Sequence, residues 1–171
     1  DHYIAIRPSI KEHLINEHWI PEEKITVIYN GVDRERFSSD KRKKQDVYTV
    51  VAPCTIDSLR RKFLNHEISL ASKDRKLIII GSDFWASLDN SLNVEVLYPR
   101  FDVENIIWMA DEVVWILLGR VNLEAWSMWI KSTIYDPETL EKTTLDCPID
   151  FDEKHNIKNV VKDILNLINS N

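Results

Sequence analysis

The apolar residues of the chain alternate between two spacings, that of a buried strand and that of an amphipathic helix. Near the start, strand-like runs at residues 3–6 and 25–28 flank a helical pattern that opens at Pro8. From residue 47 onwards the alternation is regular. The strands predicted there cover residues 47–52, 76–80, 93–97, 112–117 and 132–135, and the helices cover residues 57–71, 84–88, 103–110, 121–129 and 157–168. Strands separated by helices predict βα units.

This alternation predicts an α/β fold, a Rossmann-like parallel sheet flanked by helices. Residues 34–46 carry no apolar periodicity and include the basic run at residues 41–44, so we expect a linker there. The predicted organisation is therefore a short strand–helix–strand unit (residues 1–33), the linker (residues 34–46) and a main domain (residues 47–171). In a parallel sheet, ligands bind beyond the carboxyl ends of the strands.

Composition narrows the classes of protein. The chain has 171 residues and a net charge of −6, which argues against a nucleic-acid partner. Its longest apolar runs are far shorter than the roughly 20 residues of a membrane span, and its first residues do not resemble a signal peptide. Cys54 and Cys147 lie far apart, which excludes a disulfide scaffold and fits a cytoplasmic location. The histidines show no metal-ligand spacing, so no metal and no other cofactor is expected.

The chain has only three glycines, too few for a glycine-rich phosphate loop. Any phosphate site must therefore use helix N-termini and basic side chains.

Two segments carry a more specific signal. The first runs from Ile25 to Phe37 and contains Asn30-Gly31-Val32-Asp33, and the second joins Ala110-Asp111-Glu112-Val113-Val114 to Leu118-Gly119-Arg120-Val121-Asn122-Leu123-Glu124-Ala125. Together with the order of elements, they resemble the C-terminal, donor-binding part of a GT-B glycosyltransferase. The resemblance is to the retaining, nucleotide-sugar-dependent group, glycosyl transferases group 1. It implies that residues 1–33 are the last strand–helix–strand of an acceptor domain and that residues 47–171 bind a nucleotide-sugar donor.

The resemblance also implies roles for individual residues. Glu124 matches the glutamate that binds the donor ribose, and we expect it in the first turn of a helix that begins after the Gly119-Arg120 turn. Gly119 and Arg120 are expected at the donor site as well. Arg60, Arg61 and Lys62 lie about where the family has a lysine for the diphosphate, and Arg61 is the preferred residue. Tyr98 lies in the loop that receives the nucleobase. No catalytic residue is named, because the family's catalytic contacts lie largely in the acceptor domain.

Several positions depart from the family pattern. Cys54 replaces an arginine that contacts the diphosphate, and Ile116 replaces a second glutamate. Trp126 and Trp129 stand where small residues are expected, which indicates either a repacked core or lost donor binding. The resemblance therefore implies a nucleotide-sugar glycosyltransferase that works with a missing N-terminal acceptor domain or a partner chain. The alternative is a degenerate, non-catalytic GT-B-like module for binding or assembly.

Overall fold

The computed structural model describes residues 1–53, 58–81 and 93–170, and the chain divides into two compact units. The first unit combines Asp1–Arg34 with Pro148–Asn171, and the second is Glu35–Cys147. The predicted helix at residues 84–88 lies outside the described residues.

The first unit is a small parallel pair of strands with three helices. Its elements are β1 (Tyr3–Ala5), α1 (Pro8–His18), β2 (Ile25–Val27), α5 (Phe151–His155) and α6 (Ile157–Ser170). The N–H of Val32 donates to the carbonyl of His155 over 2.7 Å, which ties the two parts of the sequence together. A Cβ at Gly31 would lie 2.6 Å from Ile157 Cδ1 and 3.0 Å from Ile157 Cα, so α6 approaches as closely as it does because this residue is glycine.

The second unit is a six-stranded sheet with helices between its strands. Its elements are β3 (Tyr48–Pro53), α2 (Ser58–Ser69), β4 (Arg75–Ile80), β5 (Val94–Leu97), α3 (Val103–Ile107), β6 (Glu112–Trp115), α4 (Arg120–Ser127), β7 (Lys131–Tyr135) and β8 (Lys142–Leu145). The strand order is β5-β4-β3-β6-β7-β8, with all pairs parallel except β7 and β8. The predicted parallel α/β sheet is therefore confirmed.

The core of this unit is built from side chains that the apolar pattern marks as buried. The central strands contribute Val50, Leu77, Ile79 and Val114, and Phe63 and Leu64 of α2 pack against them, with all six fully buried. A run such as Leu77–Ile80 is continuous in apolar residues because a central parallel strand is covered on both faces.

Three features differ from the organisation expected from the sequence. The last two helices, α5 and α6, cluster with the first unit rather than with the sheet, and Phe151 of α5 and Val160 of α6 are buried. Residues 35–46 cluster with the second unit, where the Lys43 N–H donates to the carbonyl of Trp108 over 2.8 Å. Strand β8 was not predicted, since Lys142, Thr143 and Thr144 are exposed and give no apolar signal. The assignment of these ranges to acceptor and donor domains stays a prediction.

Two buried carboxylates, Glu112 and Glu67, lie beside Lys142 of β8. Glu112 accepts hydrogen bonds from Thr133 (2.6 Å) and Tyr48 (3.1 Å), and Lys142 lies 3.0 Å away. Burial alone would raise the pKa of Glu112, but the bonds from Thr133 and Lys142 outweigh it and lower that pKa. Glu67, fully buried in α2, accepts from Tyr135 and Arg75. Each buried carboxylate therefore has partners.

Within the described ranges, no helix combines the length and the apolar character that crossing a bilayer requires. The same ranges contain no group of three or more His, Cys, Asp or Glu side chains placed to hold a metal ion.

Candidate functional site

An open cavity of about 520 Å³ lies at the carboxyl ends of β3, β4 and β6. Pro53, Ile80 and Trp115 line it where these strands end, and residues of the β5–α3 loop and of α4 complete it. Strand β3 lies between β4 and β6, so the chain order reverses beside it. Open α/β sheets bind ligands at such a switch point.

Glu124 and Arg120 of α4 both line this cavity. The Nε–H of Arg120 donates to Glu124 Oε1 over 2.9 Å, and only 7% of Glu124 is exposed. Burial raises the pKa of the Glu124 carboxyl, and Arg120 offsets part of that effect. The expectation that Glu124 lies in the first turn is wrong, because α4 already begins at Arg120 and Glu124 is in its second turn. It still lines the cavity, since residues four apart share a helix face.

The turn before α4 is fixed by Asn122, a residue that the sequence analysis did not single out. Its Oδ1 accepts from the N–H of Gly119 over 2.7 Å, and its Nδ2 donates to Ser132 Oγ of β7 over 2.9 Å. Asn122 is fully buried. Gly119 is therefore the N-cap of α4, and the N-terminus of the helix faces the cavity through Arg120 and Val121. A helix N-terminus in this position favours an anionic ligand.

The other predicted residues lie outside the lining that the structure describes for this cavity. The guanidinium of Arg60 is 5.4 Å from the ring centroid of Trp115, which does line it, and Arg61 is exposed on α2. Tyr98 is 71% exposed, whereas its loop neighbours Pro99 and Phe101 line the cavity. The predicted roles of Arg60, Arg61 and Tyr98 stay predictions.

Two arginines that the sequence analysis did not propose also line the cavity, Arg36 and Arg100. Together with Arg120 they bring three guanidinium groups to a lining whose one described carboxylate is Glu124. Such a surface suits an anionic ligand with hydroxyl groups. Both residues lie in segments that the resemblance already marked, Arg36 directly before Phe37 and Arg100 after Tyr98.

The two tryptophans that replace small residues differ in burial. Trp126 is 7% exposed and its Nε1–H donates to the carbonyl of Leu145 over 3.2 Å, so it is part of the core, the first of the two alternatives. Trp129 is 72% exposed and has a positive φ of 57°, so the alternative of a repacked core does not hold for it. Neither tryptophan is among the described residues that line the cavity.

Comparisons with known proteins point to one class. Residues 1–36 match the family model Glycosyltransferase Family 4. No curated protein sequence matches the chain significantly. Among solved structures, a glycosyltransferase from Rickettsia africae ESF-5 is similar with a TM-score of 0.64 and 16% identity, over 80% of this chain and 44% of that one.

Two further structures extend the likeness. HepE of Anabaena in complex with UDP-glucose has a TM-score of 0.73 and 14% identity, over 98% of this chain and 63% of that one. WaaG, a glycosyltransferase involved in lipopolysaccharide biosynthesis, has a TM-score of 0.57 and 14% identity, over 75% of this chain and 42% of that one. This chain therefore spans between 42% and 63% of the length of these structures.

These likenesses establish the fold, which is that of the GT-B glycosyltransferases. The resemblance seen in the two sequence segments is thereby confirmed at the level of the fold, and the arrangement is consistent with a C-terminal GT-B domain. HepE, the neighbour that covers nearly all of this chain, was solved with a nucleotide sugar bound.

Proposed function

We propose that this chain binds the nucleoside diphosphate of a sugar-nucleotide donor in the cavity beside Glu124, as the donor-binding part of a glycosyltransferase. The observation that carries the proposal is the buried Glu124 carboxylate beside the N-terminus of α4, in a lining with three arginines. A carboxylate accepts hydrogen bonds from vicinal hydroxyls, and the guanidinium of Arg120 with the N-terminus of α4 meets phosphate charge.

The chemistry that follows is transfer of a glycosyl group from the diphosphate to a hydroxyl acceptor. The chain's part in that reaction is to hold the leaving diphosphate and stabilise the charge that develops on it as the glycosidic bond breaks. We assign this role to Arg120, which lines the cavity, and to the N-terminus of α4, because fixed dipoles stabilise charge without reorganisation. We assign no proton transfer to a residue of this chain.

The acceptor domain, or a partner chain, is the second part of the proposal. In α6, Ile157, Val161, Leu165 and Ile168 are between 36% and 64% exposed, and their spacing places them along one side of the helix. Ile4 and Ile6 of the first unit are each 46% exposed. Exposed apolar side chains in this number indicate a surface that a further domain covers.

Calorimetric titration of the full chain tests donor binding. UDP is the first ligand, because HepE was solved with UDP-glucose, and ADP, GDP and inorganic phosphate follow. At least one nucleoside diphosphate should bind and raise the melting temperature as its concentration increases. Glu124→Gln should weaken that binding, whereas Glu153→Gln, a change at an exposed carboxylate of α5, should leave it unchanged. If no nucleoside diphosphate binds, the degenerate binding module becomes the better account.

A dye-binding assay tests the covered surface. The chain alone should bind an apolar fluorescent dye, and replacing Val161 and Leu165 by Ser should reduce the signal with only a small loss of stability, because about half of each side chain is already exposed. An unchanged signal would place the exposed apolar surface elsewhere.

A further inference from the structure

Arg36 joins two segments that lie far apart in the sequence. Its Nη2 group donates to the carbonyl of Phe101 and, over 2.6 Å, to Oε2 of Glu104. Phe101 belongs to the loop of residues 98–102 between β5 and α3, which we call the rim loop, and Glu104 lies in the first turn of α3. One side chain thus ties the segment before β3 to the loop that borders the cavity.

The rim loop needs such a tie, because its residues are largely exposed. Phe101 is 100% and Tyr98 is 71% exposed. Arg100 binds Asp102 through two bonds of 2.6 Å, and Asn105 donates to Asp102 over 3.2 Å. These local bonds shape the loop without joining it to a distant segment, whereas the two Arg36 bonds span 65 and 68 residues of sequence.

The Arg36–Glu104 pair is charged under neutral conditions. The hydrogen bond from Arg36 lowers the pKa of the Glu104 carboxyl, although burial opposes the shift. Side-chain exposure is 39% for Arg36 and 16% for Glu104, so solvent screens the pair only in part. Charge-assisted bonds of this length are among the stronger ones in proteins.

We infer that Arg36 is a positioning residue for nucleoside recognition: it fixes the rim loop so that Pro99 and Phe101 present an apolar surface to a nucleobase in the cavity that Glu124 shares. This inference rests on the proposed function. The chemical class that it concerns is the planar base of the donor, which apolar and aromatic side chains bind by stacking. Arg36 acts on the base through the loop and not by touching it.

Hydrogen exchange tests the tie in the ligand-free chain. In Arg36→Ala, amide exchange over residues 100–105 should accelerate by about tenfold, because local opening no longer has to break a charge-assisted bond. The matched control is Arg34→Ala, two residues earlier, where an arginine that pairs with Asp152 is removed from the first unit. Unchanged exchange of residues 100–105 in Arg36→Ala would overturn the inference.

Titration with UDP and with uridine tests the consequence for binding. Arg36→Ala should lower the affinity for both ligands by the same factor, about tenfold, and Arg34→Ala should leave both affinities unchanged. A larger loss for UDP than for uridine would make Arg36 a direct phosphate ligand and overturn the positioning role. Unchanged affinity for both would overturn it as well.

Glu104→Gln is the second variant, because Glu104 is not among the described residues that line the cavity. It keeps the side chain's volume and weakens the bond to Arg36, so both affinities should fall together, by less than in Arg36→Ala. Full affinity in Glu104→Gln, with loss in Arg36→Ala, would mean that Arg36 acts by direct contact.

A normal chain that binds neither UDP nor any other nucleoside diphosphate overturns the proposed function, and this inference falls with it. Binding by the normal chain with unaltered affinity in Arg36→Ala overturns this inference alone.

Discussion

Arg120 and Glu124 lie one helical turn apart in α4, and the Nε–H of Arg120 donates to Glu124 Oε1 over 2.9 Å. The side chain of Arg120 is 66% exposed and that of Glu124 is 9% exposed. The largely buried carboxylate of Glu124 therefore lies beside the cavity, while the side chain of Arg120 stays exposed to water. A ligand that offers hydroxyl groups to the carboxylate and an anion to the guanidinium satisfies both.

Replacing Glu124 by Gln keeps the side chain's volume and removes its charge. We expect UDP affinity to fall by about 1–2 kcal/mol, the scale of one charge-assisted hydrogen bond. Stability should hardly change, because a neutral amide is easier to bury than a carboxylate whose pKa burial already raises. A UDP analogue that lacks one ribose hydroxyl should bind the normal chain more weakly and Glu124→Gln by a smaller margin. Equal calorimetric affinities for the normal chain and Glu124→Gln would contradict the predicted ribose contact.

The double change of Arg60 and Arg61 to Ala tests the predicted diphosphate contact. If either residue reaches the phosphates, UDP affinity should fall by about 1–3 kcal/mol, and uridine affinity should stay the same. Lys73→Ala serves as control, since Lys73 is an exposed cation beyond the end of α2 and is not among the described residues that line the cavity. Equal losses for UDP and uridine would indicate a change in the fold and not the loss of a phosphate contact.

Gly31→Ala tests the close approach of α6. The added Cβ would lie 2.6 Å from Ile157 Cδ1 and 3.0 Å from Ile157 Cα, so the helix must shift. We expect the free energy of unfolding to fall by about 1–3 kcal/mol, as in other overpacked sites. Ile157→Val removes the nearest methyl group and should restore part of the loss in the double variant. Urea denaturation measures both, and a loss that Ile157→Val leaves untouched would assign the effect to the backbone of α6.

The pKa of Tyr48 predicts how the stability of the fold changes at alkaline pH. Burial, followed by the Glu112 carboxylate to which Tyr48 donates, raises its pKa from 10.0 to about 12. The unfolded chain therefore loses this proton first as the pH rises, so the stabilisation is complete below pH 10 and is lost between pH 10 and about 12. Tyr48→Phe should make the decline of the urea midpoint over that interval shallower. The same slope in both chains would show that Tyr48 does not contribute.

Much of the fold was predictable, because its signals are local. A continuous run such as Leu77–Ile80 predicts a buried parallel strand whatever surrounds it, and the structure has β4 there. Strand β8 and the place of α6 were not predictable in the same way. The first is polar and exposed, and the second depends on which unit its apolar positions contact.

The residues of the site follow the same rule: contacts local in sequence were predictable, and contacts between distant segments were not. Glu124 and Arg120 are four residues apart on one helix, so a sequence segment suffices to pair them. Arg36 was missed as a cavity residue because its partners Phe101 and Glu104 lie 65 and 68 positions away. Asn122 was missed because a single buried amide side chain gives no periodic signal in the sequence. Its structural role depends on the hydrogen bond to Ser132 of β7, a partner that the sequence does not identify.

Strand β8 also decides where the sheet stops. It is the outermost strand beside β7, it has only four residues, and Lys142, Thr143 and Thr144 are exposed on it. Unpaired backbone groups on an outer strand are a template for strands of other molecules, and a short strand with a lysine opposes such pairing. A chain cut after Tyr135 would present β7, most of whose residues are buried, as that template. The antiparallel strand therefore protects the sheet against edge-to-edge aggregation.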